Sequence, residues 1–272
     1  MIPHLVSKLA FGFASKFAHW HPGNLHNVII TGDGNNDVVV EPQGKGWLSK
    51  VFWVSTGGGS DTITIKTPPG SEHGLGQSSI VVVNGGSGND IIHAGGGRDI
   101  IQGGAGARDT VIYDLATKGV VAYLNDGGVE IKAGKGGAAG DVLIGVERLA
   151  GSNYDDRLYG NSADNDLLGG PGNDILTGGA GRDHFVLGRG DGHDWVTDFT
   201  VGEDTVEIRR LDPSSIQQEL TTRDGVAGLL IRTDAQPGYE PATMFLAGVD
   251  RELAPVPEGS PEPNWHDALL LA

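Results

Sequence analysis

An all-β solenoid of short parallel strands is the fold this sequence predicts, and three observations carry the prediction. Glycine and aspartate recur together every nine residues, as in GGSGNDIIH and AGGGRDIIQ from residue 85 and GGPGNDILT and GGAGRDHFV from residue 169. Each acid is followed by a short aliphatic or β-branched run that stays in phase with it. The composition leaves little bulk for a conventional core, since 46 of 272 residues are glycine and only 6% are aromatic. Glycine enters left-handed backbone conformations without a steric penalty, so a Gly-rich segment recurring at a fixed interval is built to turn repeatedly.

The elements follow in chain order. Residues 1–30 contain no acid, two lysines (Lys8, Lys16) and four histidines (His4, His19, His21, His26). Leu5, Leu9, Phe13 and Phe17 recur every four residues and predict an amphipathic N-terminal cap helix. With its lysines bracketing the apolar stretch, this segment does not read as a Sec signal peptide. The group HWHPGNLH reads as covering the open end of the solenoid. Residues 31–111 form a first block. It starts with loose copies around Asp37 (GDGNNDVVV) and Asp61 (TGGGSDTIT) and continues through Asp90 and Asp99 to GGAGARDTV, where one added residue displaces Asp109. Residues 112–150 read as a spacer. Residues 151–187 form a second block with Asp156, Asn165, Asp174 and Asp183 at the acid position. Residues 188–272 read as a C-terminal β cap, in which Asp194, Asp198 and Asp204 are expected on a solvated face.

The physics of one repeat leads to a ligand. Six positions of turn chemistry end in an acid, and three more make a strand too short to stand alone. Stacked copies form a parallel sheet with one large apolar residue pointing inward at each rung. Two repeats complete one coil, so Asp156 falls near Asp174 and Asn165 near Asp183. Carboxylates stacked in this way repel unless a cation lies between them. A donor set of carboxylates and turn carbonyls, with no cysteine in the chain, suits calcium and its six to eight oxygen ligands; magnesium demands a tighter octahedron.

These nonapeptides resemble those of the RTX (repeats-in-toxin) family, with the pattern GGxGxDxUx, best matched by the copies ending at Asp90, Asp99, Asp174 and Asp183. The resemblance implies a right-handed parallel β-roll with several Ca2+ ions bound in its turns. It implies that the turn residues Asp37, Asp61, Asp90, Asp99, Asp109, Asp156, Asn165, Asp174 and Asp183 bind metal. Carbonyls would come from Gly86, Gly88, Gly95, Gly97, Gly104, Gly106, Gly170, Gly172, Gly179 and Gly181. Asp156 and Asn165 sit in degenerate copies, where weak or empty sites are expected. GDVLIGVERLAGSNYDDRLYGN resembles the spacer between RTX blocks. GHDWVTDFTVGEDTVEI and the terminal Asp267 with ALLLA resemble a serralysin-type C-terminal module, which implies export by type I secretion machinery.

A net charge of −16 argues against nucleic acid and anionic membranes as whole-molecule partners. No apolar run approaches the length of a transmembrane segment. The sequence contains no HExxH, GxSxG or GxxxxGK[ST] motif, so no catalytic residues are assigned. The expected function is that of a secreted, extracellular or cell-surface calcium-binding protein with a structural or adhesive role, its partners including surface or matrix glycans. The alternatives are a membrane-active, toxin-like effector and an enzyme acting on acidic polysaccharide.

Overall fold

The computed structural model describes residues 26–40, 51–66, 80–95, 99–125, 141–209, 215–234, 240–254 and 268–271. The expected N-terminal cap helix, Gly97 and Asp267 lie outside the described residues. The first strands are β1 (His26–Ile30), β2 (Asp37–Val40), β3 (Val51–Ser55), β4 (Thr62–Ile65), β5 (Ile80–Ser87), β6 (Ile91–His93), β7 (Ile100–Ala105) and β8 (Thr110–Ile112). They continue with β9 (Val121–Asn125), β10 (Val142–Ile144), β11 (Arg148–Ala150), β12 (Arg157–Tyr159), β13 (Asp166–Leu168), β14 (Ile175–Thr177), β15 (His184–Leu187) and β16 (His193–Val196). The last are β17 (Thr205–Arg209), β18 (Ile216–Arg223), β19 (Val226–Thr233), β20 (Thr243–Ala247) and β21 (Ala268–Leu271).

From β1 to β17 the strands alternate between two sheets, except that β9 and β10 both join the first. The first sheet runs β1-β3-β5-β7-β10-β9-β12-β14-β16-β20-β19-β18 and the second β2-β4-β6-β8-β11-β13-β15-β17-β21. Pairing is parallel along both until the C-terminal end, where β18, β19 and β20 pair antiparallel and β21 runs antiparallel to β17. These antiparallel strands end the stack, which is the expected β cap. The outermost strand of the first sheet, β18, reads IQQELTTR, the polar kind of edge that discourages further pairing.

The middle residue of each strand fills the interior. In the second sheet Ile63, Ile92, Val111, Leu149, Leu167, Phe185 and Val206 stand in register, all 0% exposed. In the first sheet Val54, Val83, Ile101 and Leu143 form the facing column, and Leu158, Leu176 and Val196 continue it beyond β9. Each such side chain contributes about 2 kcal/mol of burial. The core is therefore one or two side chains deep per rung, and the turns must carry the rest of the cohesion.

The stretch expected as a spacer builds rungs of its own, because VAYLN, VLI and RLA are strand sequences that lack the glycine half of the repeat. Its order is inverted in the first sheet. The chain lays β9 beside β12 and then returns to place β10 against β7, with Val142 opposite Ile100. Between β10 and β9 only Leu143↔Leu124 and Ile144↔Asn125 pair. The second sheet passes straight from β8 to β11 to β13, so the first sheet holds one extra strand at this point.

Candidate metal centre

Two rows of turns connect the sheets, one along each edge of the roll, and each carries a column of acids. On the edge that leads from the first sheet to the second, the backbone N–H of Asn36 donates to Asp61 Oδ1 at 2.7 Å. Asp61 N–H donates to Asp90 Oδ1 at 2.8 Å, Asp90 N–H to Asp109 Oδ1 at 2.9 Å, and Asp109 N–H to Glu147 Oε2 at 2.9 Å. Further along, Asn165 N–H donates to Asp183 Oδ1 at 2.9 Å and Asp183 N–H to Asp204 Oδ1 at 2.8 Å. On the opposite edge Val81 N–H donates to Asp99 and Asp99 N–H to Asp141. Past β9 that column resumes: Val120 N–H donates to Asp156, Asp156 N–H to Asp174, and Asp174 N–H to Asp194. Asp156 thus meets Asp174, and Asn165 meets Asp183, as the nine-residue period requires.

One carboxyl oxygen of each acid is spent on the rung behind it. For Asp61, Asp90, Asp99, Asp109, Asp174 and Asp194 the other oxygen, Oδ2, is buried and has no hydrogen-bond partner. An unpartnered buried carboxylate oxygen costs on the order of 1–3 kcal/mol or more, so six in one small protein call for a ligand. Their surroundings have the shape of a cradle. A Cβ built on Gly85 would collide with Asp90 Oδ2 and the Gly103 carbonyl, and on Gly169 or Gly178 with Asp174 or Asp183 Oδ2. Only glycine leaves room there for an oxygen-bound ion.

The expected carbonyl donors divide by the way they are held. Gly86, Gly88, Gly104, Gly170, Gly179 and Gly181 have φ between 89° and 124°, the left-handed region that glycine alone enters freely. A Cβ on Gly86 would run into the Gly57 carbonyl, on Gly104 into that of Gly86, on Gly106 into that of Gly88, and on Gly179 into that of Asn161. Successive turn carbonyls therefore point along the roll axis at the glycine of the next rung. A Cβ on Gly172 would lie 2.7 Å from the Tyr154 carbonyl oxygen and 2.8 Å from Asp174 Oδ1. Gly95 is buried just beyond β6.

Burial sets the electrostatics. It pushes the Asp90 carboxyl up to about 6, with neighbouring Asp109 and Asp61 adding to the rise against the Asp61 N–H that lowers it. Asp99 and Asp183 are raised to about 7 and Asp174 to about 8, burial again being the largest cause. Asp194 and Asp141 lie well above the ordinary carboxylate range, and Asp109, Asp156, Asp204 and Glu147 are raised for the same reason. At one rung of about 4.8 Å, two ionised neighbours repel by roughly 3 kcal/mol at an effective dielectric near 20.

Some sequence-based assignments move. The strand register places Asp37 opposite Thr62 on the exposed outer side, so Asn36 occupies the turn position opposite Asp61. In GDGNNDVVV the nonapeptide pattern sets its acid on Asp37, one residue past the turn position that Asn36 fills. Asp194 and Asp204, expected on a solvated face, are 0% and 3% exposed and extend both columns. Half-buried Asp198 accepts the backbone N–H groups of Gly178 and Gly179, both at 2.9 Å. Asp141, Glu147 and the first-position glycines Gly85, Gly103, Gly169 and Gly178 also belong to the columns. The signal for Asp141, Asp194 and Asp204 is the acid followed by a strand triplet (DVLI, DWV, DTVE), which a template demanding the glycine half passes over.

Not every acid in a column is equally available. Asp156 accepts Val120 N–H and Ser152 Oγ on Oδ1 and Ser152 N–H on Oδ2. Asp141 Oδ2 accepts the buried Tyr113 hydroxyl at 3.0 Å. These two are satisfied by protein donors. Asn165, neutral at its own position, has a buried Nδ2 without a partner.

Among the described residues no three His, Cys, Asp or Glu side chains converge on a possible metal position. An ion between turns must therefore draw on backbone carbonyls as well as one or two carboxylates, the oxygen-rich shell that calcium accepts. A family model for the RTX calcium-binding nonapeptide repeat matches in four copies, over residues 82–108, 142–176 and 159–194. The chain carries RTX calcium-binding nonapeptide repeats. No curated protein matches it. The RTX matches bracket β9 and end at Asp194, so the columns continue beyond the matched residues through Asp61 at one end and Asp204 at the other. Calcium binds at several sites in such repeats, and here the donor chemistry, the orphaned oxygens and the glycine cradles all fit it. No helix among the described residues is long and apolar enough to cross a membrane.

Proposed function

We propose that this chain is a secreted, extracellular scaffold whose roll assembles when calcium fills its turns, and that it then acts as a structural or adhesive element at a cell surface or in a matrix. The six buried carboxylate oxygens without partners, stacked rung on rung, carry the reading. Asp61, Asp90 and Asp109 on one edge and Asp99, Asp174 and Asp194 on the other would hold the ions, with Asp183 and the carbonyls of Gly86, Gly88, Gly104, Gly106, Gly170, Gly172, Gly179 and Gly181. Bound calcium supplies positive charge that cancels the repulsion within each column.

Without the ion, a core this thin and columns this charged do not offset chain entropy. Sites of the extracellular class, with dissociation constants on the order of 10⁻⁴ to 10⁻³ M, stay empty inside a cell. The chain is then expanded enough for type I secretion machinery and folds outside. The antiparallel C-terminal strands serve as the surface on which the first rung stacks. Surface or matrix glycans are the partner class proposed, and no catalysis is assigned.

Circular dichroism tests the folding step: the signal moves from coil to β on adding calcium and stays as coil with magnesium at equal concentration. A full β signal in chelator at neutral pH would overturn the reading. A glycan array probed with the calcium-loaded chain tests the adhesive role, and uniformly blank spots would remove it.

A further inference from the structure

The outer face of the second sheet carries a charged row over its last four parallel rungs. Leu149, Leu167, Phe185 and Val206 point inward, so their neighbours along each strand point out. In register these are Arg148 on β11, Asp166 on β13, His184 on β15 and Thr205 on β17, with Glu207 two residues further along β17. Arg148 Nε lies 3.3 Å from Asp166 Oδ2, and Arg108, reaching over from the turn before β8, lies 3.9 Å from the same oxygen. The His184 ring stands between the two acids, with Nδ1 3.4 Å from Asp166 Oδ1 and Nε2 3.3 Å from Glu207 Oε2. Arg209 Nη2 donates to Glu207 Oε2 at 2.9 Å. Burial lowers the Arg148 guanidinium against the pull of Asp166, and the nearby charges of Arg209 and Arg108 lower it further. Three guanidiniums therefore face two carboxylates, a local excess of positive charge in a chain where acids outnumber bases 35 to 19. The side chains of Arg108, Arg148 and Arg209 are 32%, 22% and 27% exposed, those of Asp166 and Glu207 17% and 1%. Solvent thus meets mainly the bases.

We infer that this face binds the carboxylate and sulfate groups of an acidic polysaccharide through Arg108, Arg148 and Arg209. A guanidinium offers its N–H groups as a fork that fits the paired oxygens of such anions. Arg148 and Arg209 start from strands three rungs apart, about 14 Å, a separation that suits repeated anionic groups along a polymer better than one small anion. A polymer strand can follow a row one or two side chains wide, whereas an anionic bilayer would meet the acid columns of both edges at the same time. The charge of the whole chain sets a condition. The columns repel an anionic polymer until calcium fills them, each ion adding two positive charges, so docking follows the folding step. This site deepens the adhesive reading and rests on it for the choice of a glycan as partner.

Titration of the calcium-loaded full chain with chondroitin sulfate, against neutral dextran as control, tests the site. Chondroitin sulfate binds and dextran does not. Arg108→Glu weakens the binding by at least about tenfold, the loss expected for a charged hydrogen bond. Arg182→Glu makes the same charge change at an exposed arginine paired with Asp164, outside the cluster, and weakens it by less than about threefold. Arg108 and Arg182 each precede an acid of the columns, so any effect on calcium is matched between the two variants. Arg209→Gln gives a second reading from the other end of the row, with a loss of at least about threefold. All three variants keep the β signal of the parent chain in calcium. Equal losses for Arg108→Glu and Arg182→Glu would assign the binding to net charge alone. Unchanged binding in Arg108→Glu would assign it to calcium bridging the polymer to the columns, and tighter binding to phosphatidylserine vesicles would assign the face to a membrane. Each of these outcomes, or no chondroitin sulfate binding by a chain with its full β signal, overturns the inference. Failure of calcium-driven folding is told apart by a missing β signal in the parent chain itself.

Discussion

Asp90 and Gly85 show how one repeat works at the scale of single residues. Asp90 Oδ1 ties its turn to the rung behind, and Oδ2 sits against the Cα of Gly85. Gly85→Ala therefore pushes a methyl into the Asp90 carboxylate and the Gly103 carbonyl, and neither can retreat without breaking the column. We expect a loss of at least about 2–3 kcal/mol in calcium-loaded stability by denaturant titration. Gly32→Ala, where a Cβ meets nothing within 4 Å, changes it by less than about 0.5 kcal/mol. A second contrast separates Asp174, with an orphaned oxygen, from Asp156, whose oxygens are both satisfied. Asp174→Asn raises the calcium midpoint about tenfold, whereas Asp156→Asn shifts it less than threefold, both read by calcium titration in circular dichroism. The sequence made the acids legible, since they recur in phase with the strands. It did not reveal Gly85, because a first-position glycine looks like any other turn glycine until the fold brings it under the carboxylate.

At the scale of the element, a strand is one inward side chain between two turns. Leu158, 0% exposed, fills β12 between Leu176 on one side and Ala122 of β9 on the other. Leu158→Ala should cost about 2–5 kcal/mol, measured by denaturant unfolding in saturating calcium, because neighbours held in a ladder cannot collapse into the space. The strands with a full glycine half were readable from the period alone. β9 was not, for its turn position is the buried Val120 and nothing in VAYLN marks a rung. The order β7-β10-β9 was also beyond reach, because a period fixes how often a strand recurs and not the sequence in which rungs are laid down. Val120 leaves a gap in the acid column between Asp141 and Asp156. The outward Tyr123 of β9 partly makes up for it by stacking on Tyr159, with ring centroids 4.6 Å apart and planes 9° from parallel. A contact of that kind is worth about 1 kcal/mol, which joins the two blocks without an ion where the column is broken.

For the whole molecule, the thin core and the two acid columns make stability a matter of what neutralises the carboxylates, and protons can do part of what calcium does. In the fold Asp90 is raised to about 6, Asp99 and Asp183 to about 7 and Asp174 to about 8, from an ordinary value of 3.8. A carboxyl whose folded value lies above its unfolded one contributes stability that is complete below the unfolded value and lost as pH rises through the folded one. In chelator, the β signal should therefore be strongest below about pH 4, weaken as pH climbs, and be lost through the window from 6 to 8 set by these four groups. With calcium saturating, the ions hold the carboxylates ionised, so the β signal stays flat across the same window. The calcium midpoint rises as pH climbs from 6 to 8, because protons no longer share in neutralising the columns, and becomes nearly flat above it. A pH series of circular dichroism titrations with and without calcium reads both slopes. A metal-free β signal that grew with pH would mean the buried columns are not what opposes folding, and would remove the physical reason for the chain to wait for calcium.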